Sequence, residues 1–385
     1  MKDTFLGYER PDGRCGIRNH VAIISTADNS NFVARRVAEI IKGTVPLCPC
    51  FGRGEIGADM DLHVKTMGGL GANPNVHSAV VVSLESVIAE RIADIIRAAG
   101  KKAIVCTMDE CGGSIGCTEK AVRAAKELMI EASMVQKKEL PVKKLLVGVE
   151  CGGSDTTSGV VSNPAIGHVA DKLVDMGGTV ILSETTEWMG AEENLTKRAV
   201  TPEIGRKIVD SIQWYIDYIK SIGVDLNGYN PAPDNIKGGL STIEEKALGS
   251  VKKGGTKPIQ SLLSCSESPS GCGLHLMDAP TGGVENTTAL AACGCQVILF
   301  STGKGNPLGN PVAPTVKITG NERTVQREGD NIDVNLCKVI TQEQSIEDAG
   351  EELYLQMLDF ANGKLTCAEV LGDLEIAVTR IGFTV

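Results

Sequence analysis

Aromatic side chains make up only 3 % of this 385-residue sequence. So few flat rings leave little material for the stacking platforms on which single-stranded nucleic acid lies. Basic residues are outnumbered too: 38 Lys and Arg stand against 48 Asp and Glu, a formal charge of −10 that opposes a polyphosphate partner. A small anionic ligand is still allowed, because the local field of a site can oppose the global charge. No apolar run approaches the ~20 residues that span a bilayer. The start, Met1-Lys2-Asp3-Thr4-Phe5, lacks the apolar stretch of a signal peptide. These absences point to the cytoplasm, with no nucleic acid and no membrane as partner. No P-loop and no obvious Ser/His/Asp set occur, and no two histidines have the spacing of metal ligands. Standard nucleotide binding, serine hydrolysis and a histidine-rich metal centre are therefore not indicated.

Glycine and cysteine are what the chain has in quantity, with 44 and 13 copies. The glycines suggest tight turns and backbone brought close to a ligand. Without a secretory signal the cysteines do not read as a disulfide framework. Cys106, Cys293 and Cys295 lie in apolar segments, where a cysteine behaves as a small buried hydrophobe, whereas Cys111, Cys151 and Cys272 fall in Gly-rich loops. The pairs Cys48-Pro49-Cys50 and Cys293-Gly294-Cys295 raise an iron–sulfur cluster as a rival idea, but no segment has the C-x₂-C-x₂-C run of such sites.

The length favours two domains. Apolar runs of strand length at His20–Ser25, Ser78–Ser83, Lys102–Thr107, Leu145–Val149 and Thr179–Leu182 alternate with helical patterns at Asn31–Ile41, Val87–Ala99, Glu119–Ala132 and Ile166–Met176. Strand–helix alternation predicts a parallel sheet. We therefore expect an α/β chain, with a Rossmann-like N-terminal domain over residues 1–137 and a second, catalytic α/β domain over 138–385. The charged stretch Gln136–Pro141 and the loop Asn227–Asp234 are candidate boundaries. Helices are expected at Ser241–Leu248 and Gln344–Phe360, and strands at Leu274–Met277 and Val297–Phe300.

Sheets of this kind bind ligands beyond the carboxyl ends of their strands. Glu-Cys-Gly-Gly-Ser occurs at two such tips, 110–114 and 150–154. The second continues as Asp155-Thr156-Thr157-Ser158-Gly159, offering a thiol, a carboxylate and several hydroxyls. At the next tip Ser183-Glu184-Thr185-Thr186-Glu187 adds two carboxylates, with Glu192 following. Carboxylates from separate strand ends are how an α/β protein assembles an oxygen-rich metal site. The alternative for Glu187 and Glu192 is a helix cap. Two further segments suit an anion. Arg18-Asn19-His20 could fork onto a carboxylate or sulfonate, and Arg53 stands among three glycines in Cys50–Gly57.

Together these motifs resemble the altronate/galactarate dehydratase family over nearly the whole chain. The matching stretches are Gly7–Asn19, Cys151–Asp155 with Ser158-Gly159, Asn163-Pro164, Gly177–Thr185, Gly190-Ala191-Glu192, Asn235–Ala247 and Phe300–Asn306. Arg18-Asn19-His20, Phe51–Gly54, Ser154–Gly159, Met277-Asp278 and Gly305–Pro311 resemble its sulfo-lyase branch most; Cys111, Cys117, Cys272, Cys293 and Cys295 depart from that pattern. The resemblance implies a metal-dependent lyase performing β-elimination on a small anionic 2-hydroxy acid. (2R)-Sulfolactate, giving pyruvate and sulfite, is the first choice. A sugar-acid hydro-lyase giving a 2-keto-3-deoxy acid is the second, and a non-catalytic sugar-acid-binding protein the third. It also implies Fe2+, with Mn2+ as the second choice, a separate small SAF-domain subunit, and a homo-oligomer of this larger chain. On this reading Cys151, Asp155 and Glu184 are metal ligands, and Glu187, Lys246 and His20 are catalytic. Arg18, Asn19, Arg53, Ser154, Thr156, Lys304 and Asn306 would hold substrate.

Overall fold

The computed structural model describes residues 3–226 and 229–385, so the proposed boundary loop begins outside the described residues at 227 and 228. Strand β1 (Thr4–Glu9) pairs antiparallel with the short β2 (Cys15–Gly16). The chain then winds β3 (His20–Ser25), β4 (Thr44–Leu47), β5 (Val76–Ser83) and β6 (Ala103–Thr107) into a parallel sheet of order β4-β3-β5-β6. The strands expected in this half sit within two residues of their observed limits. They are rich in Val and Ile because both faces are covered by helices. β7 (Lys138–Pro141) returns to β1, so the strand that opens the second half completes a sheet begun by the first.

The second half is a seven-stranded, wholly parallel sheet. Its strands are β8 (Leu146–Cys151), β9 (Thr179–Leu182), β10 (Ile259–Leu263), β11 (Gly273–Met277), β12 (Val297–Ser301), β13 (Thr315–Thr319) and β14 (Val334–Asn335), in the order β10-β11-β9-β8-β12-β13-β14. From β8 the chain first goes to β9 on one side and later to β12 on the other. That reversal opens a crevice at the carboxyl ends, the usual ligand site of such sheets.

The helices differ from expectation in one instructive way. Residues Ala58–Ala72 form a helix that periodicity does not announce, because Gly68, Gly69 and Gly71 break the apolar stripe. Gly68 and Gly71 lie against Ile95 and Ile96 of the helix Ser86–Ala98, while Gly69 serves a close crossing with the helix Gly283–Ala292, since a Cβ there would lie 2.5 Å from the Ala292 carbonyl oxygen. This crossing joins the halves, and one apolar cluster runs across it from Ile24, Met67 and Ile92 to Leu290, Ile298 and Met277. Among the described residues no helix is long and apolar enough to cross a membrane.

Candidate active site

Register places the first two groups. Val149 of β8 and Leu182 of β9 are partners, so the residues two further on, Cys151 and Glu184, emerge side by side at the sheet's carboxyl end. The Cys151 backbone N–H donates to Glu184 Oε2 at 3.2 Å, and its Sγ lies 3.6 Å from the same oxygen. Glu184 has φ 73° and ψ 70°, a left-handed conformation that a residue with a Cβ adopts at a cost of about 1–2 kcal/mol. Such strain at a strand tip marks a position held for function.

The third group comes from far along the chain. The helix Ile243–Ser250, started by Thr242 accepting from the Glu245 N–H, runs into a tight turn, Val251–Gly254. Gly167 lets that turn approach the helix Asn163–Asp175, since a Cβ there would lie 2.2 Å from the Lys252 carbonyl oxygen. The turn carries Lys253 into the core. Its Nζ donates to Glu184 Oε2 at 2.7 Å, to Cys151 Sγ at 3.2 Å and to Ser250 Oγ at 2.6 Å, and neither Lys253 nor Glu184 has any exposed side-chain surface. A second ion pair lies alongside, with Lys246 Nζ 2.8 Å from Glu187 Oε1 and 2.8 Å from Asn230 Oδ1. Glu150, wholly buried, accepts from Asn286.

Burial pushes the Glu184 carboxyl up to about 7, with Lys253 pulling the other way and Glu187 adding to the rise. Glu150 is driven well above the carboxylate range by burial and then by the charge of Glu184, and burial also raises the Cys151 thiol. Burial disfavours the Lys253 ammonium, but the adjoining Cys151 and Glu184 more than offset it and hold the group charged above the usual lysine range. Buried oxygens without a partner among the described residues gather here, on Glu150, Glu187, Ser183 and Asn163. Orphaned buried acceptors are rare in folded proteins and call for a ligand or a catalytic role.

Beside these pairs is a cavity of about 220 Å³, lined by Ser154, Asp155, Thr156, Ser158, Asn163, Lys246 and Ser250 among others. It borders a single π-type turn, Ser158–Ser162, at the start of the helix Asn163–Asp175, a distortion that frequently marks functional positions. The Cys151–Asp155 loop is laced to the loop after β12: Gly152 N–H donates to Ser301, and the Gly303 and Lys304 N–H groups both donate to the Gly153 carbonyl.

The expected site residues divide into those gathered here and those placed elsewhere. Cys151, Glu184, Glu187 and Lys246 are together, and Ser154 and Thr156 line the cavity. Asn306 lies against the same loop, its Nδ2 3.2 Å from where a Gly152 Cβ would be. Asp155 lines the cavity, but its carboxylate is consumed: Oδ1 accepts from Thr157 and the Ser158 N–H, and Oδ2 from Asn321. Lys304 faces a neighbouring cavity beyond Asp155, with Arg323 and Arg327. Glu192 opens the short helix Glu192–Thr196 and accepts from the Gly190 N–H just ahead of it, without capping the helix.

The four N-terminal candidates do not reach this site. Arg18 is buried in a two-point ion pair with Glu369, at 2.8 and 3.0 Å, and also donates to the Phe360 and Lys364 carbonyls. Asn19 bridges Arg10 and the Ala132 carbonyl. His20 opens β3, at the amino end of its sheet, whereas chemistry sits at carboxyl ends. Arg53 lines a separate cleft at the tip of the N-terminal sheet, with Thr26, Asn29, Ser83 and Glu85. Lys253, Ser250 and Glu150 were missed. The one signal that could have found Lys253 is its place directly after the matched stretch ending at Ala247.

Among the described residues no three His, Cys, Asp or Glu side chains are placed to hold one ion, which weighs equally against an iron–sulfur cluster. Asp155 has spent both oxygens, and the cation lying between Cys151 and Glu184 is Lys253. A divalent ion held jointly by Cys151, Asp155 and Glu184 does not fit this arrangement. The cysteines expected to be packing residues, Cys106, Cys293 and Cys295, are fully buried free thiols.

Comparison with known proteins agrees with the architecture. Residues 7–133 match the D-galactarate dehydratase/altronate hydrolase second domain, and residues 142–384 the D-galactarate/altronate dehydratase C-terminal domain. The chain is 39 % identical over 382 residues to the (2R)-sulfolactate sulfo-lyase subunit beta of Chromohalobacter salexigens, covering 98 % of this chain and 97 % of that one. It is 33 % identical to the galactarate dehydratase (L-threo-forming) of Escherichia coli, over 94 % of this chain and 73 % of the relative. It is 31 % identical to the altronate dehydratase of Bacillus subtilis, over 99 % and 78 %. The protein is a lyase belonging to the D-galactarate/altronate dehydratase family.

Proposed function

We propose that this lyase eliminates the β-substituent of a small anionic 2-hydroxy acid, with (2R)-sulfolactate as the first substrate and an altronate- or galactarate-type sugar acid as the alternative. The observation that carries the reading is the Lys246–Glu187 pair set beside a cavity rich in hydroxyls and against a buried, strained Glu184. The sulfo-lyase name of the 39 % identical relative favours the first substrate. The same relative is a subunit, so we propose a separate small SAF-domain partner, a homo-oligomer of the larger chain, and work in the cytoplasm. We also read the N-terminal sheet as a Rossmann-like unit over 1–137, preceding a catalytic unit over 138–385.

In this proposal Ser154 and Thr156 bind the polar groups of the substrate. Glu187, whose Oε2 is unpartnered, takes the proton from C2. Lys246 stands over the negative charge that then develops on the substrate's carboxylate. The C2–H electron pair forms the C2=C3 bond, the C3–S pair leaves with sulfite, and the enol takes a proton at C3 to become pyruvate. For a sugar acid the C3–O bond breaks instead and water leaves. Glu184, Cys151 and Lys253 form the rigid floor. No step is routed through a metal ion.

The test is a coupled assay of the chain with its small subunit, run anaerobically with Fe2+ or Mn2+ and after chelation, on sulfolactate, altronate and galactarate. Sulfite with stoichiometric pyruvate from sulfolactate is expected. A 2-keto-3-deoxy acid from a sugar acid selects the alternative. No keto acid from any of the three removes the proposal.

A further inference from the structure

The place between the tips of β8 and β9 is already filled. The Lys253 ammonium directs its donors at three atoms, Glu184 Oε2 at 2.7 Å, Cys151 Sγ at 3.2 Å and Ser250 Oγ at 2.6 Å. Three is the full donor capacity of an ammonium. The Cys151 thiol in turn lies 3.6 Å from Glu184 Oε2, so the three side chains form a closed ring of contacts. All of them are buried, with Cys151 only 5 % exposed. The backbone is shaped to bring the lysine in: a Cβ at Gly254 would lie 2.8 Å from Leu182 Cδ2, and one at Gly167 2.2 Å from the Lys252 carbonyl. A buried lysine needs this partnership, because an ammonium taken out of water is strongly unfavourable unless paired and hydrogen-bonded. A divalent ion on the same two donors would sit against the ammonium and be repelled by it.

We infer that Lys253 is a positioning residue that fixes Cys151 and Glu184 as one unit, occupying the seat a divalent ion would need, so that these two side chains hold no metal. This goes beyond the proposed elimination and stands whichever hydroxy acid is turned over. Any Fe2+ or Mn2+ that turnover requires is then bound through other groups.

The probe is Co2+, added anaerobically to the full-length chain, with the near-ultraviolet thiolate-to-cobalt charge-transfer band as readout. Because twelve other cysteines are present beside Cys151, the band is read as the difference from Cys151→Ser. The expected result is no Cys151-dependent band in the wild-type chain, a clear one in Lys253→Met, and none in Lys253→Arg, whose guanidinium restores a cation. A wild-type band that disappears in Cys151→Ser overturns the inference, and that comparison decides the matter even if Lys253→Met fails to fold. A folded Lys253→Met without the band overturns it as well, since the lysine would not be what keeps the ion out. An inactive enzyme with either spectrum would instead count against the elimination reading.

Discussion

Lys246 Nζ lies 2.8 Å from Glu187 Oε1, and the other oxygen of Glu187 is buried with no partner among the described residues. A carboxylate tethered by one oxygen and bare on the other is oriented to take a proton. Glu187→Gln keeps the size and the contact to Lys246 but removes the basicity. Turnover should fall by about 10²–10⁴-fold with KM little changed, and circular dichroism should show an intact fold. Wild-type kcat in this variant would end the assignment of Glu187 as base.

Glu184 is a different case, because removing it strands a charge. Glu184→Ala leaves the Lys253 ammonium buried and uncompensated, so urea unfolding should show a loss of about 3–5 kcal/mol. Replacing both partners, Glu184→Ala with Lys253→Met, should recover most of that loss while turnover stays absent. A single-mutant loss below about 1 kcal/mol would show that the pair contributes little to stability.

His20 predicts how stability responds to acid. Burial, then the charge of Arg18, push its imidazole down from 6.5 to about 4, with Glu369 acting the other way. A histidine depressed in the folded state is protonated first in the unfolded chain. Stability is therefore full above the unfolded value and lost as pH falls from about 6.5 towards 4, by on the order of 3 kcal/mol. Urea melts across that window should show a smaller loss in His20→Gln than in the wild-type chain. Identical slopes would mean that His20 titrates normally.

The crossing at Gly69 can be tested independently of catalysis. Gly69→Val drives a side chain into the Ala292 backbone, from which even a Cβ would be only 2.5 Å away. Overpacking of this kind costs about 1–3 kcal/mol, and the Tm should fall, whereas Gly329→Ala, with an ordinary φ of −57° and nothing within 4 Å, should move it less. Equal shifts would deny the crossing its role.

Much of the candidate site was legible because the α/β pattern is regular. Alternating strands and helices locate the strand tips, and the tips name Cys151, Asp155, Glu184 and Glu187 without any coordinates. The charged groups of the N-terminal segment were harder. The partner of Arg18 is Glu369, 351 positions away, and nothing local distinguishes an arginine that ends in a buried ion pair from one that meets substrate. Asp155 looked like a metal ligand by type and place, yet Asn321, 166 positions on, claims one of its oxygens. Glu110 and Glu150 share the same five-residue motif, but one is exposed and the other is completely buried.

By itself the sequence determined the fold class, the family, and the strand ends at which the candidate site gathers. Hydrophobic periodicity and turn residues act over a few positions and are written into the chain directly. Only the tertiary structure decided which charges meet. Lys252 and Lys253 are adjacent and chemically identical, yet the first is exposed and the second closes the core of the site. What separates them is the path of a tight turn against Gly167 and Leu182, set by packing between segments that lie far apart in the chain.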